Sequence, residues 1–400
     1  MRKKFSFLLT AILGSLVAGF CACEILESPS KPNSANIGIS GSLKNSSSQS
    51  STTHKHIFDT LSYDANGHWY ECNCGKKDDE IMHSYNNYTC SVCRYTASPT
   101  QGVEYDLSID GTYAEVIGYT GNTKGVVIAD TYQGVAVTSI YDKAFYEKAI
   151  TSVLIPNSVT SIGDAAFSGC DSLTSVTIGS SITSMGWEAF SCCNKLTSAT
   201  INSKLIGRLM FAGCSSLTSV TIGDDVTSIG EYAFSDCYNL RYTQYGNAKY
   251  LGNEENSYIA LIATINDNYT SYDIHPRTKF IAPRAFASCN RLTKMVIPDG
   301  ITVIGESAFR GCDNLKNVTI GNGVTSIEKR AFSYCYSLTS ITISSSVTLI
   351  GSEAFYGCSD LTQIIYKGSV STWKKIKKDG NRVYDDPVRH VVCLDGTVTF

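Results

Sequence analysis

From residue 145 to residue 355 the apolar positions repeat as a phrase about 23 residues long. The order is L-x-x-V-x-I, followed by V-T-S-I-G-x-x-A-F-x-x-C. One copy runs Leu173, Val176, Ile178, Ile182, Met185, Gly186, Ala189, Phe190 and Cys193. Val176 and Ile178 alternate with Thr and Ser, which predicts a short strand with one face on a core. Gly179 predicts a turn, 182–186 a second extended piece, and 188–193 one helical turn. The Phe recurs at 145, 167, 190, 211, 234, 286, 309, 332 and 355. Such self-similarity marks a solenoid. The few apolar side chains of one copy cannot form a core alone. Stacked, they make a continuous column, and equivalent strands pair side by side into a parallel sheet. Arrays of this kind offer long surfaces to partners, so the period points to a binding protein.

The array spans 141–366, and its period breaks at three places. Between Phe234 and Phe286 lie 246–281, which alternate like strands without an Ala-Phe pair. They are expected to be an irregular spacer or degenerate repeat, with a binding insertion as the alternative. Upstream, 99–140 alternates about Asp110-Gly111, a hairpin signal suited to capping the open end of a stack. Downstream, 367–400 loses the phrase and reads as a C-terminal cap, with one amphipathic helical turn from Trp373 to Ile376.

Eight thiols follow a repeat Phe by three residues: Cys170, Cys193, Cys214, Cys237, Cys289, Cys312, Cys335 and Cys358. Each occupies the same slot, which predicts a ladder of small buried side chains. Disulfides between neighbours would require those side chains to turn toward one another. Cys192 stands beside the ladder without an assigned role.

This phrase, from Leu-x-x-Val-x-Ile to Ile-Gly-x-x-Ala-Phe-x-x-Cys, resembles the BspA-like (treponemal-type) leucine-rich repeat family over roughly 103–366. The resemblance implies a leucine-rich repeat solenoid, mainly β with short helical turns. It also implies a place on a bacterial surface, adhesion, and binding of host or matrix proteins. It brings no catalytic residues.

The N-terminus carries different chemistry. Arg2, Lys3 and Lys4 precede an apolar stretch from Phe5 to Phe20 that is short for a membrane span. Residues 1–23 resemble a bacterial lipoprotein signal, with Cys23 as the lipidated first mature residue. Ordinary cleavage and release is the alternative. The Ser-, Asn- and Gly-rich stretch 24–53 reads as a disordered tether. Residues 54–98 form a small Cys/His-rich module that resembles zinc ribbons. Cys72, Cys74, Cys90 and Cys93 could hold a structural zinc, and His54, His56, His68 and His83 cluster around them. Two disulfides are the competing reading, which export permits. No catalytic cofactor is expected.

Composition narrows the partners. Charged residues make up 17% of the chain and the net charge is −3, so the polar surface is largely hydroxyl, amide and phenol. Nothing here attracts nucleic acid or an anionic membrane, and membrane contact is expected only through a lipid anchor. His275 and His390 are the only histidines beyond the module, and neither belongs to a nucleophile–base motif. The chain therefore reads as a non-enzyme.

Outward-facing strand positions are the first candidate binding residues: Thr174, Ser175, Thr177; Thr197, Ser198, Thr200; Thr218, Ser219, Thr221; Thr339, Ser340, Thr342. Stacking should align them into hydroxyl rows able to engage host or matrix proteins, with avidity along the array. Aromatics at variable slots, Trp187, Tyr232 and Tyr334, are the second set. A structural envelope scaffold and a glycan-binding surface subunit are the alternative functions.

Overall fold

The structure is a computed structural model. It describes residues 98–379, 388 and 390–399, together with the backbone of five short strands between residues 58 and 90. In that N-terminal stretch Phe58–Tyr63 pairs antiparallel with Gly67–Cys72, which pairs in turn with Ile81–Met82. Tyr85–Asn86 pairs with Thr89–Cys90.

From residue 103 onward the chain is a β-solenoid of leucine-rich repeats. Each coil lays down one longer strand, one two-residue strand and a connecting turn that carries the Ala-Phe pair. Ser175–Ile178, Ser198–Ile201 and Ser219–Ile222 pair parallel and in register, so Val176, Ala199 and Val220 point inward as one row. A second sheet begins at Lys294–Ile297 and continues through Asn317–Ile320, Ser340–Ile343, Gln363–Tyr366 and His390–Cys393. It closes with the antiparallel strand Gly396–Thr399. The two-residue strands stack on another side of the coil, among them Ser161–Ile162 with Ser184–Met185 and Val303–Ile304 with Ser326–Ile327.

Inside, the Phe rings form a column. Phe145, Phe167 and Phe190 stack nearly parallel at 4.8 Å between successive centroids. Phe286, Phe309, Phe332 and Phe355 repeat the arrangement beyond the spacer. The cysteine of each slot is buried beside the column. In seven of the eight slots the Sγ–H donates to the carbonyl of the preceding coil's Phe, as from Cys170 to Phe145 (3.1 Å) and from Cys312 to Phe286 (3.0 Å). None of the eight forms a disulfide. Regular stacking gives those seven thiols the same acceptor, whereas Cys289, the first after the spacer, lies 3.8 Å from the Thr264 hydroxyl. Burial pushes Cys170 and Cys237 up to about 12.

The expected helical turn at 188–193 is not a helix. Two residues in each Ala-Phe turn take positive φ, Glu188 (59°) and Cys192 (54°) in this copy, which no α-helical turn allows. Alternate N–H groups therefore point along the stack. Ala165, Phe167 and Gly169 donate to the carbonyls of Trp187, Ala189 and Ser191 in the next coil (2.8, 2.8 and 2.9 Å). Ser168 and Cys170 bond within their own turn. A helical turn would satisfy only itself, whereas this alternation joins coil to coil on the side where no strand does. Gly186 shows how close the coils lie, since a Cβ there would run into the backbone of Gly163 and Asp164. The one helix among the described residues is Val370–Lys375 in the C-terminal cap, with Ser369 as N-cap and Trp373 buried.

Residues 246–281 interrupt the longer-strand sheet. Thr243–Tyr245 and Ala248–Leu251 pair antiparallel, and Ala260–Thr264 returns antiparallel to the latter. Phe280–Ile281 then resumes the parallel order. Only the bridge from Thr221 to Gly252 continues the first longer-strand sheet.

Candidate functional site

The outward face of the first sheet carries two aligned hydroxyl rows. Ser175, Ser198 and Ser219 are one, and Thr177, Thr200 and Thr221 are the other. Alternation along the strand puts them on the side opposite Val176 and Ile178. Thr174, Thr197 and Thr218 do something different. Their hydroxyls donate to the carbonyls of Thr151, Thr174 and Thr197 in the preceding coil (3.3, 3.0 and 3.1 Å). Thr339 does the same to Lys316 (3.1 Å). These four hold coil to coil and offer a partner only their remaining lone pairs.

The second sheet's outward face is mixed. Ser340 lies beside Asn317 and Lys294, and Thr342 belongs to a row running Val296, Thr319, Thr342, Ile365 and Val392. Val296 is 53% exposed, and Ile365 and Val392 are also exposed. The apolar members of this row were missed in the sequence. Their signal was the replacement of Thr by Val or Ile at a slot that is Thr in most copies.

The aromatic candidates stand on the turn side of the coil, and each lies against an arginine from a neighbouring coil. The guanidinium carbon of Arg208 is 4.8 Å from the ring centre of Trp187, that of Arg284 is 5.3 Å from Tyr232, and that of Arg310 is 5.2 Å from Tyr334. Glu231, largely buried, reaches both Arg208 (3.9 Å) and Arg284 (3.5 Å). Arg330 bonds Glu353 at 2.7 Å. Burial, with Glu231 nearby, holds the Glu306 carboxyl above its ordinary range. Sequence reasoning picked the rings and not these partners, although Arg208 and Arg284 occupy the slots of Trp187 and Tyr232 in the following coil, and Arg310 the slot next to that of Tyr334 in the preceding one.

The spacer gathers its own ring cluster. Tyr258 stacks on His275 at 3.7 Å, Tyr245 meets His275 edge-on at 4.8 Å, and the Arg277 N–H donates to His275 Nδ1 at 3.2 Å. Burial, followed by the charge of Arg277, lowers the His275 pKa. A neutral imidazole satisfies that geometry.

Of the zinc candidates, Cys72 and Cys90 end strands whose backbone alone is described. Cys74, Cys93, Cys23 and the segment 24–53 lie outside the described residues. Among the described residues, no three His, Cys, Asp or Glu side chains stand close enough to share a metal ion. No described helix is long and apolar enough to cross a membrane.

Repeat phrase, parallel coils and thiol ladder together narrow the family. The family described as "BspA type Leucine rich repeat region" matches residues 138–258 and 267–377, more than half of the chain. The chain belongs to it. The gap between the matched stretches falls inside the spacer, where the BspA-type phrase lapses. No curated protein matches the chain. Several solved structures are similar to it. A leucine-rich cell surface protein of Faecalibacterium prausnitzii A2-165 is 28% identical, over 72% of this chain and 98% of that one, with a TM-score of 0.31. The leucine-rich repeat protein of T. pallidum is 22% identical over 66% and 90%, at 0.24. The pneumococcal vaccine antigen PcpA is 16% identical over 85% and 89%, at 0.35.

Proposed function

We propose that this BspA-type protein is a bacterial cell-surface binding protein whose solenoid engages proteins of the host or matrix. The observation that carries the reading is the in-register outer row Val296, Thr319, Thr342, Ile365 and Val392. It sets exposed apolar side chains among hydroxyls across five strands, the mixture that desolvates readily and still hydrogen-bonds at a protein interface. The hydroxyl rows of the first sheet add hydrogen-bonding groups without apolar area, and repetition supplies avidity. The test is titration of the mature chain against immobilised matrix and plasma proteins. Saturable binding that survives moderate salt is expected. Silence across the panel from a folded sample would remove the reading.

Export with lipid anchoring at Cys23 belongs to the same proposal, because a surface binder needs a tether. Cys23→Ala should move the protein from the membrane fraction to the soluble one, and retention would sink the anchor. A structural zinc on Cys72, Cys74, Cys90 and Cys93 is likewise proposed. Metal analysis of the purified chain should find about one zinc per molecule, whereas a metal-free chain lacking the corresponding free thiols would indicate disulfides.

A further inference from the structure

On the turn side of the second array an open cleft of about 390 Å³ spans three successive coils. The first contributes Ser288 and Asn290, the second Arg310 and Asp313, and the third Tyr334 and Tyr336. Volumes of this order accommodate small ligands or one to two sugar rings.

The cleft differs from the rest of the turn side in what its polar groups do. Arg208 and Arg284 share Glu231, and Arg330 has Glu353. Arg310 makes no ion pair among the described residues, and its buried Nε, like that of Arg208, has no hydrogen-bond partner. The ring of Tyr334 holds its guanidinium in place at 5.2 Å. Asn290 receives the Asp313 backbone N–H on its Oδ1 (3.4 Å), which leaves its amide N–H groups to the cleft. Tyr336 is 48% exposed, and its ring centre lies 6.2 Å from that of Tyr334. The result is a concave site with guanidinium, amide and phenol donors, one carboxylate acceptor, and an exposed ring.

Charge selects among ligands. Arg310 and Asp313 bring one charge of each sign, and Arg284 is ion-paired with Glu231, which it shares with Arg208. An acidic peptide would set its carboxylates against Asp313, and a basic one would meet Arg310. A sugar ring matches every group present. Its hydroxyls both donate and accept, so planar guanidinium, carboxylate and amide groups can each grip them. Its C–H face can lie on the exposed tyrosine ring.

We propose that this cleft, formed by Arg310, Asp313, Tyr334 and Tyr336 with Ser288 and Asn290, is a docking site for a neutral saccharide unit. It lies on a different side of the coil from the sheet rows and can fail or stand independently of the protein-binding reading.

The test is a printed array of neutral oligosaccharides of two to six sugars, with acidic oligosaccharides and acidic peptides on the same slide, probed with the full chain. The best neutral oligosaccharide is then titrated by calorimetry. Asp313→Ala and Tyr336→Ala should each weaken it about tenfold or more while the Tm stays unchanged. Tyr141→Ala, an exposed tyrosine of the first coil, should leave binding as it is. Three outcomes overturn the proposal: no neutral saccharide retained by folded protein, binding indifferent to both cleft variants, or retention of acidic peptides alone.

Discussion

The arrays on either side of residues 246–281 share one phrase, and comparing them shows what the spacer does. Each Phe column starts at a tyrosine. Tyr119 lies 5.7 Å from Phe145 and donates its hydroxyl to the Thr123 carbonyl at 2.9 Å. Tyr272 lies 5.3 Å from Phe286 and donates to the Asn266 carbonyl at 2.6 Å. Each start also follows antiparallel pairing, Val103–Leu107 with Ala114–Tyr119 in one case and Ala248–Leu251 with Ala260–Thr264 in the other. A tyrosine fits there because its body continues the column while its hydroxyl reaches the loop that covers the end. The spacer thus restarts the solenoid with the devices that began it. The buried side chains divide accordingly into two core clusters, one before and one after the restart, with spacer residues in both.

The sharpest way to break this comparison is to empty one column at a time. Phe190→Ala and Phe309→Ala each remove a fully buried ring stacked on both sides. Each should cost about 3–5 kcal/mol. Hydrogen exchange should show Phe190→Ala stripping protection mainly from 103–240, and Phe309→Ala mainly from 286–366. Equal loss along the whole chain in both variants would show that the restart does not partition stability.

Alkaline pH separates individual coils of the two arrays more finely. Burial pushes Cys170 and Cys237 in the first array up to about 12, and Cys289 in the second up to about 11. Below about pH 9 such a thiol is neutral both folded and unfolded. Above that, the unfolded thiol ionises and the folded one does not, so stability falls as pH rises until the folded value is reached. Each thiol should contribute a loss of about 1.4 kcal/mol per pH unit inside its window. Denaturation of Cys289→Ala should lack that share between pH 9 and about 11, and Cys170→Ala should lack it up to about 12. Wild-type stability that stays flat from pH 9 to 11 would refute the buried ladder in solution.

Smaller still is the effect at the column heads. Tyr119→Phe and Tyr272→Phe keep the ring and lose the hydroxyl's hydrogen bonds, to the Thr123 carbonyl and hydroxyl in one case and to the Asn266 carbonyl in the other, so each should cost about 1 kcal/mol in chemical denaturation. Matching values would support equivalent roles. If Tyr272→Phe is silent, the spacer's loop is not tied down as the first cap is.

The contrast also explains what the sequence could reveal. Leu173, Val176, Ile178, Phe190 and Cys193 announce the coil, because burial imposes the same apolar slot every turn and a period is readable without alignment. The Ala-Phe turn misled, since 188–193 has helical composition while its φ alternation is set by hydrogen bonds to the next coil. Such bonds leave no mark in a single copy. Placement of Trp187, Tyr232 and Tyr334 on one side was legible from their slots, but their arginine partners sit a coil away, across the spacer for Tyr232 and Arg284. Thr174 and Thr177 look alike in sequence, yet only the first finds a carbonyl of the preceding coil within reach.

The least disruptive change tests the outward rows, where the arrays differ most. The first sheet presents Thr177, Thr200 and Thr221, whereas the second replaces Thr by Val296, Ile365 and Val392 in the equivalent row. These side chains are exposed, so Val296→Thr with Ile365→Thr should leave stability within about 0.5 kcal/mol of wild type. A hydroxyl-only face keeps its hydrogen bonds to water more readily than a mixed one, because it lacks the apolar area whose burial drives association. The double variant should therefore bind matrix protein about tenfold more weakly in the same titration. The reverse change, Thr200→Val in the first sheet, should strengthen binding if both faces contact the partner. Should the double variant bind as wild type does, the row would be solvated surface, and the protein-binding face would have to lie elsewhere on the coil.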